Sequence, residues 1–193
     1  MNESLPGEVT AYLTQHGCPK TAEHSARVAV EARRLAQRFV EDPDEAERAG
    51  WLHDISAVIP VSRRLEAAHQ MDIAILPEEA AFPLILHQKL SAVIARQDFK
   101  VTAPGVLGAI GCHTTLKVGA SRLDLVVFVA DKLEWDNPAA EMPYRAALLA
   151  GLERSLEEGA LAYLDSLWQQ RASLPCIHPW MAAAYQDLLM KYV

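Results

Sequence analysis

Two adjacent residues, His53 and Asp54, have side chains that can bind one metal ion together. They lie in the segment AGWLHDIS (residues 49–56), near the end of a predicted helix with apolar surroundings. Neighbouring residues on a helix project about 100° apart, so an ion between them can take an imidazole nitrogen and a carboxylate oxygen. A buried carboxylate is costly unless it is paired or metal-bound. The dipeptide alone is more typical of a helix-end aspartate beside a core histidine, because short motifs often occur by chance.

Two distant residues strengthen the metal hypothesis. His24 lies near the start of an amphipathic helix, on its apolar side and one turn before Val28. Taken alone, His24 is typical of a core histidine. Asp131 interrupts the apolar run LVVFVAD (residues 125–131). An ionised carboxylate at the end of a buried helix needs a partner, which is either a cation or a basic side chain such as Lys132.

Two further histidines, His87 and His113, lie on or at the end of predicted helices with apolar neighbours. The candidate ligands therefore mix imidazoles and carboxylates. Such a mixture suits iron, manganese, zinc and other first-row ions. The sequence predicts a metal centre built from side chains that are far apart along the chain.

Helices must bring these side chains together, because apolar residues recur at helical spacing through most of the chain. The strongest example covers residues 21–39, where the apolar positions are Val28, Ala32, Leu35 and Phe39. Prolines at likely first turns open several others. Further helices are predicted over residues 43–57, 62–71, 84–94 and 104–112, and from residue 179 onward.

Residues 123–135 are apolar almost all round, which predicts a buried central helix. The valines of this segment, Val126, Val127 and Val129, also fit a strand. Pro143 opens a long predicted helix through about Gln170. No repeat or linker divides the chain, so we expect one all-α domain over residues 1–193. Its metal core would span about residues 20–135, with C-terminal helices over residues 143–193 packed on it.

Composition excludes several classes of protein. The chain has 193 residues, 51% of them hydrophobic, which suits a globular domain. Its net charge of −7 argues against a nucleic-acid partner, which would require a basic surface. Three isolated cysteines predict neither a disulfide framework nor a thiolate zinc site. The sequence contains no signal peptide, membrane-spanning run, phosphate-binding Gly-rich loop or nucleophile elbow, so a soluble cytoplasmic protein is expected.

The ordered set of motifs resembles a known family. The order H…HD…D resembles the HD superfamily of metal-dependent phosphohydrolases, whose fold is a helical bundle with the metal site in its centre. The surrounding words resemble the YqeK family within it, in order from about Tyr12 to the C-terminus. Those words are HSAR (24–27), AGWLHDI (49–55), LH (86–87), AIGCHTT (109–115), VADKLE (129–134) and IHP (177–179).

This resemblance implies symmetrical cleavage of diadenosine tetraphosphate to two ADP at an iron centre. It implies that four side chains bind the metal: His24, His53, Asp54 and Asp131. It also implies that another set meets the nucleotide phosphates: Arg27, His87, His113, Thr114 and Thr115. The chain departs from the family at two places. Gln88-Lys89-Leu90 replaces a small, glycine-containing segment, and Asn137 replaces an arginine. Both departures bear on the substrate more than on the metal.

Residue chemistry suggests the role of each group. A metal would polarise a phosphoryl oxygen and activate water, with Asp54 as a ligand that positions that water. Arg27 offers a planar fork for phosphate and Lys89 a point charge, although both also fit a solvated helix face. His87 and His113 either bind a second metal or contact phosphate, and one of them could protonate the leaving group. The sequence favours phosphate contact.

Two alternative functions stay open at this stage. The same centre could serve a phosphatase of another nucleotide or of a small phosphorylated metabolite. The chain could also be a non-catalytic nucleotide-binding regulatory module, although its complete ligand set argues against this. Tryptophans near predicted helix ends (Trp135, Trp168 and Trp180) fit a homodimer interface as well as a core.

Overall fold

A computed structural model describes residues 4–134 and 144–192, and these residues form α-helices and short 3₁₀ turns without any β-strand. The all-α prediction is confirmed. The α-helices are α1 (Leu5–Gln15), α2 (Pro19–Phe39), α3 (Pro43–Leu52), α4 (Arg64–Gln70), α5 (Pro77–Ala81), α6 (His87–Gln97), α7 (Pro104–Cys112), α8 (Arg122–Leu133), α9 (Arg145–Leu152), α10 (Leu156–Gln169) and α11 (Pro179–Tyr192). The 3₁₀ turns cover Ile55–Val58, Val61–Arg63, Pro83–Leu86 and Arg171–Ser173.

Helix α8 lies at the centre of the fold. Every residue from Leu123 to Leu133 is buried, and the helix packs against α2, α3, α7 and α10. Ser121 caps its first turn by accepting from the Asp124 amide, and the Asp124 carboxylate accepts from the Ser121 amide in return. This capping box, together with burial on all sides, explains why the valine-rich segment forms a helix and not a strand. The buried end of α8 carries Asp131.

Helices α2 and α3 approach each other unusually closely at Gly50. A Cβ atom added to Gly50 would lie 2.6 Å from the Ala29 Cα and 2.9 Å from the Ala29 nitrogen. Only a glycine fits against this backbone. The contact fixes the relative position of His24 on α2 and His53 at the C-terminal end of α3.

Two helices predicted from the sequence end differently in the structure. The helix opened by Pro43 ends at Leu52, and residues 55–58 form a 3₁₀ turn. The long helix predicted over residues 143–170 is wrong over its described part, because α9 ends at Leu152 and α10 begins at Leu156. Ser155 has extended backbone angles and its hydroxyl accepts from the Glu158 amide, so it caps a new helix. Pro143 itself lies outside the described residues.

Two of the three tryptophans near predicted helix ends contact other side chains. Trp168 stacks on Tyr185, and Trp180 lies under the Lys89 ammonium; Trp135 falls outside the described residues. In the part of the chain that the structure describes, none of the helices combines the length and the apolar content that a membrane span needs.

We expect the Gly50→Ala variant to lose about 1–3 kcal/mol of unfolding free energy, because the new methyl group must push α2 and α3 apart. Urea unfolding followed by circular dichroism measures this. The matched control is Gly105→Ala in α7, whose added Cβ would meet only ordinary contacts, at 3.5 Å from the Leu123 Cδ2. That control should be neutral or gain up to ~1 kcal/mol from helix propensity. Equal stabilities for the two variants would contradict the proposed close packing.

Candidate metal centre

The four residues predicted as metal ligands lie together, although they come from distant parts of the chain. The His24 Nε2 is 3.2 Å from the Asp131 Oδ1 and 3.3 Å from the His53 Nε2. The His53 Nε2 lies 3.6 Å from both the Asp131 Oδ1 and the Asp54 Oδ2. Helix α2 supplies His24, the end of α3 supplies His53 and Asp54, and the end of α8 supplies Asp131.

His87 and His113 form a second group beside the first. Their Nε2 atoms lie 3.1 Å apart, and each is 3.6 Å from the Asp54 Oδ1. The other oxygen of Asp54 faces His53. Asp54 therefore lies between the two groups, with one carboxylate oxygen toward each.

Three of these histidines are oriented by their own backbone. The Nδ1 atoms of His53, His87 and His113 each donate to the carbonyl three residues earlier, at 2.7, 2.8 and 2.8 Å. For His53 and His113, that carbonyl belongs to the last turn of a helix, where carbonyls lack a helical partner. Since Nδ1 carries the proton in each neutral ring, the Nε2 lone pair points into the cluster.

The protonation of His87 and His113 leaves acceptor atoms that a cation can bind. Burial lowers the pKa of His87 to about 4, and burial likewise lowers the pKa of His113. Both rings are therefore neutral near pH 7, and no hydrogen lies between their Nε2 atoms. Two lone pairs facing each other at 3.1 Å repel unless a positive ion lies near both. The arrangement of these two nitrogen atoms therefore fits a metal site.

The carboxylates supply the negative charge. Burial opposes their ionisation, but the imidazoles around Asp54 hold its pKa well below its usual range. The same holds for Asp131, beside Lys132, His24 and His53. Burial lowers the pKa of His53, but the nearby carboxylates Asp54 and Asp131 outweigh this and raise it. A raised pKa means that His53 tends to hold a second proton, on Nε2, beside the two carboxylates. A divalent cation would replace that proton as the partner of the carboxylates.

The spacing of the ligand atoms also fits a metal. Among residues 4–134 and 144–192, two sets have ligand atoms that all lie within 4.8 Å of one another, namely His24, His53 and Asp131, and His53, Asp54 and His113. Two ligands bound at ~2.1 Å to one ion, at right angles or tetrahedrally, are about 3.0–3.4 Å apart. The observed separations of 3.2–3.6 Å are close to this range.

A cavity of about 460 Å³ opens onto the cluster. Four of its lining residues were not predicted as site residues from the sequence: Lys20, Thr21, Leu84 and Lys132. Lys20 lies four residues before His24 and so on the same side of α2, and this spacing could have predicted its place near the site. The sequence indicates Lys132 only as a partner of Asp131. The cations in the lining are thus Lys20 at the exposed rim and Lys132 at the buried base.

The predicted phosphate contacts divide between residues in the cavity and residues outside it. Thr114 lines the cavity, and its Oγ1 is 2.8 Å from the His87 Nε2. Arg27 lines a neighbouring cleft with Val30 and Glu31, and its Nε is 3.5 Å from the Glu134 Oε2. The structure does not place Arg27 in the lining of the metal cavity.

Lys89 and Thr115, which the sequence predicts as substrate contacts, do not line the metal cavity. The Lys89 Nζ donates to the Glu79 carboxylate at 2.8 Å and to the Ala74 carbonyl at 2.9 Å, and Lys89 lines a different cavity. Thr115 is buried behind Thr114, and its hydroxyl donates to the Leu116 carbonyl at 2.9 Å. Neither side chain reaches the metal cavity, because each is held by a partner on the far side.

The departure at Gln88 has a structural explanation. The buried Gln88 Oε1 accepts from the backbone amides of Thr114 and Thr115, at 3.1 and 3.3 Å. Its Nε2 donates to the Thr115 hydroxyl at 3.1 Å. Gln88 therefore holds the turn that follows His113, and it does not line the metal cavity. The second departure, Asn137, lies outside the described residues.

His178 caps the last helix, as its sequence position suggests. Its Nδ1 accepts from the Trp180 amide at 3.1 Å, so its Nε2 carries the proton and donates to the Glu79 Oε1, also at 3.1 Å. His178 is not part of the metal cluster.

We expect Asp54→Asn to retain much less metal than the unmodified protein, because a neutral amide replaces the carboxylate that lies between both groups. Loss of a residue behind a ligand already lowers metal affinity about 10- to 100-fold, and loss of a ligand should lower it at least as much. Elemental analysis after anaerobic loading with Fe²⁺ or Mn²⁺ measures this. The matched control is Asp72→Asn on the exposed surface, at a positive φ of 51° that asparagine tolerates. Equal metal content in the Asp54 variant and the unmodified protein would rule out this centre.

Comparison with known proteins is consistent with this geometry. Residues 21–136, more than half of the chain, match the family model described as HD domain. A Lactococcus lactis subsp. cremoris protein described as uncharacterized is 45% identical over 140 residues, covering 72% of this chain and 70% of that protein. A Staphylococcus aureus protein named symmetrical bis(5'-nucleosyl)-tetraphosphatase is 29% identical over 117 residues, covering 60% of this chain and 59% of that protein.

A solved structure supports the fold. It is described as a predicted HD superfamily hydrolase involved in NAD metabolism from Clostridium acetobutylicum, and it superposes with a TM-score of 0.85. The match covers 95% of this chain and 96% of the other at 24% sequence identity. At that identity, the likeness shows a shared fold.

Proposed function

We propose that this chain, which belongs to the HD-domain family, hydrolyses diadenosine tetraphosphate symmetrically into two molecules of ADP. Phosphohydrolysis is the activity of the family; the substrate is our proposal. The single observation that carries the proposal is the pair of ligand sets that share His53, namely His24, His53 and Asp131, and His53, Asp54 and His113, beside a cavity of about 460 Å³. A relative named symmetrical bis(5'-nucleosyl)-tetraphosphatase supports the choice of substrate.

Four side chains would hold the metal: His24, His53, Asp54 and Asp131. Iron is the ion we propose, with manganese or another first-row ion as the alternative, because the ligands mix imidazole and carboxylate. A bound divalent ion supplies Lewis acidity toward a phosphoryl oxygen and lowers the pKa of nearby water. The remaining chemistry belongs to the side chains around it.

The geometry at His87 and His113 favours a second metal over phosphate contact. A neutral ring whose Nδ1–H is bonded to a carbonyl has a lone pair at Nε2, which accepts and cannot donate to a phosphate oxygen. Asp54 also presents a separate oxygen to these histidines. This reverses the preference drawn from the sequence.

The chain's own groups then divide the work. Asp54, between both groups of ligands, would orient the attacking water, and the proton of that water would pass to solvent. The Thr114 hydroxyl, 2.8 Å from the His87 Nε2, would donate to a phosphate oxygen once a metal takes that nitrogen's lone pair. The Lys20 ammonium at the rim attracts the next phosphate. Leu84, which is 44% exposed beside the cavity, offers an apolar surface to a nucleoside. A cavity of this size suits one half of the dinucleotide, which leaves the departing ADP toward solvent.

The second candidate is a phosphatase of another nucleotide or a small phosphorylated metabolite. The positions of Arg27 and Lys89 favour it, because neither cation lines the metal cavity. Among the described lining residues, a substrate with four phosphates would meet one exposed cation, Lys20, because Lys132 is buried and bound to Asp131. A smaller phosphate ester needs fewer cations.

Metal-loaded protein should release ADP alone from diadenosine tetraphosphate, without AMP or ATP, because water attacks at one of the two central phosphorus atoms. In ¹⁸O-water, one of the two ADP molecules should carry a single ¹⁸O. Anion-exchange chromatography and mass spectrometry measure both results. Asp54→Asn is the inactive control. Faster release of phosphate from nucleoside monophosphates or other phosphate esters, with no turnover of the dinucleotide, would establish the second candidate instead.

A further inference from the structure

We propose that Lys132 is a positioning residue of the metal centre, which holds one oxygen of Asp131 so that only the other faces the metal. This inference rests on the proposed metal-dependent function. No motif in the sequence assigned Lys132 this role, and it differs from the ligands themselves because its ammonium cannot bind a cation.

The Lys132 ammonium is buried as deeply as the core around it. Its side chain is 2% exposed, and the Nζ lies 5.1 Å from the ring centre of Phe128 and 5.8 Å from that of Tyr163. A buried ammonium is unfavourable unless it is paired and hydrogen-bonded. The two aromatic rings supply part of that compensation through cation–π attraction. The carboxylate of Asp131 supplies the rest.

The two oxygens of Asp131 have separate partners. The Lys132 Nζ donates to Oδ2, whereas Oδ1 lies 3.2 Å from the His24 Nε2 and 3.6 Å from the His53 Nε2. A carboxylate with Oδ2 so occupied presents a single oxygen to a metal. Without Lys132, the carboxylate could rotate about its last bond and offer both oxygens or neither.

Lys132 also contacts the second group of ligands. Its Nζ donates to the backbone carbonyl of His113 at 3.2 Å. One ammonium therefore joins the end of α8, which carries Asp131, to the end of α7, which carries His113. This link fixes the distance between the two groups.

The sign of the change in metal affinity distinguishes positioning from simple charge. Lys132 adds a positive charge beside a site for cations, so its removal would tighten metal binding if repulsion were its main effect. If Lys132 positions Asp131, its removal weakens metal binding instead. Residues that orient ligands typically contribute about 10- to 100-fold to metal affinity or activity.

The test is a Co²⁺ titration of Lys132→Met, followed by the visible absorption of the bound cobalt. We expect affinity to fall about 10- to 100-fold and the spectrum to change, because Asp131 no longer holds one geometry. The matched control is Lys117→Met, which removes the 3.0 Å ion pair between Lys117 and the buried Asp124. Asp124 lies on α8, as Lys132 does, but neither member of this pair lines the metal cavity. The control should keep the affinity and the cobalt spectrum of the unmodified protein.

Unchanged or tighter Co²⁺ binding by Lys132→Met would overturn the proposal. If that variant does not fold by circular dichroism, Lys132→Arg takes its place, because arginine keeps the charge but its planar fork cannot place a nitrogen at the same point. The arginine variant should also lose affinity, and wild-type affinity in it would equally overturn the proposal. Unmodified protein that binds no Co²⁺ would instead refute the proposed metal-dependent function. Protein that binds Co²⁺ without cleaving the dinucleotide would refute only the substrate.

Discussion

Three histidine side chains in this protein donate their Nδ1–H to a backbone carbonyl three residues earlier, and the centre of the structure is arranged around that bond. The bond fixes the tautomer, so each Nε2 presents a lone pair to the same small volume. Because that volume is buried, water cannot satisfy the lone pairs of His53 and His113 from all sides. The fold therefore places several Nε2 lone pairs around one buried position, where a cation can bind them. Asp54 and Asp131 add two negative charges, which would match a divalent cation.

The helices serve this arrangement in different ways. Helix α8 is buried all round and carries Asp131 into the core, whereas the amphipathic helix α2 presents His24 from its buried face. Helices α2 and α3 meet backbone to backbone at Gly50, one turn before His53. The carbonyl of the same Gly50 accepts from His53. One glycine thus sets both the spacing of two helices and the orientation of a ligand.

Much of the site was predictable from the sequence, because metal ligands interrupt apolar patterns. His24 on an apolar face and Asp131 in an apolar run are both conspicuous in this way, and the structure brings them together with His53 and Asp54. The all-α fold follows from the same periodicity.

Side-chain direction was harder to predict. Lys89 lies two positions after His87, so it projects about 200° away around α6 and faces Glu79 on the other side. The neighbouring residues Thr114 and Thr115 also point in different directions, since Thr114 lines the cavity and Thr115 is buried behind it. The sequence does not show at which residue α6 begins, and the direction of each side chain around the helix axis depends on that residue. By contrast, the break between α9 and α10 had a readable signal, since Ser155 and Glu158 have the spacing of a helix cap.

The buried Glu79 has a consequence for the order in which the protein assembles. Its carboxylate accepts from Lys89 in the first turn of α6 and from His178, 99 residues later in the chain. Contacts that close such long loops form late in folding, because the entropy of the loop is lost before the contact is gained. Helix α6 begins at His87, so the Glu79 carboxylate links the residue before the last helix to the helix that carries one wall of the metal cavity. A chain that lacks α11 and His178 would leave the Glu79 carboxylate with Lys89 and without its histidine partner.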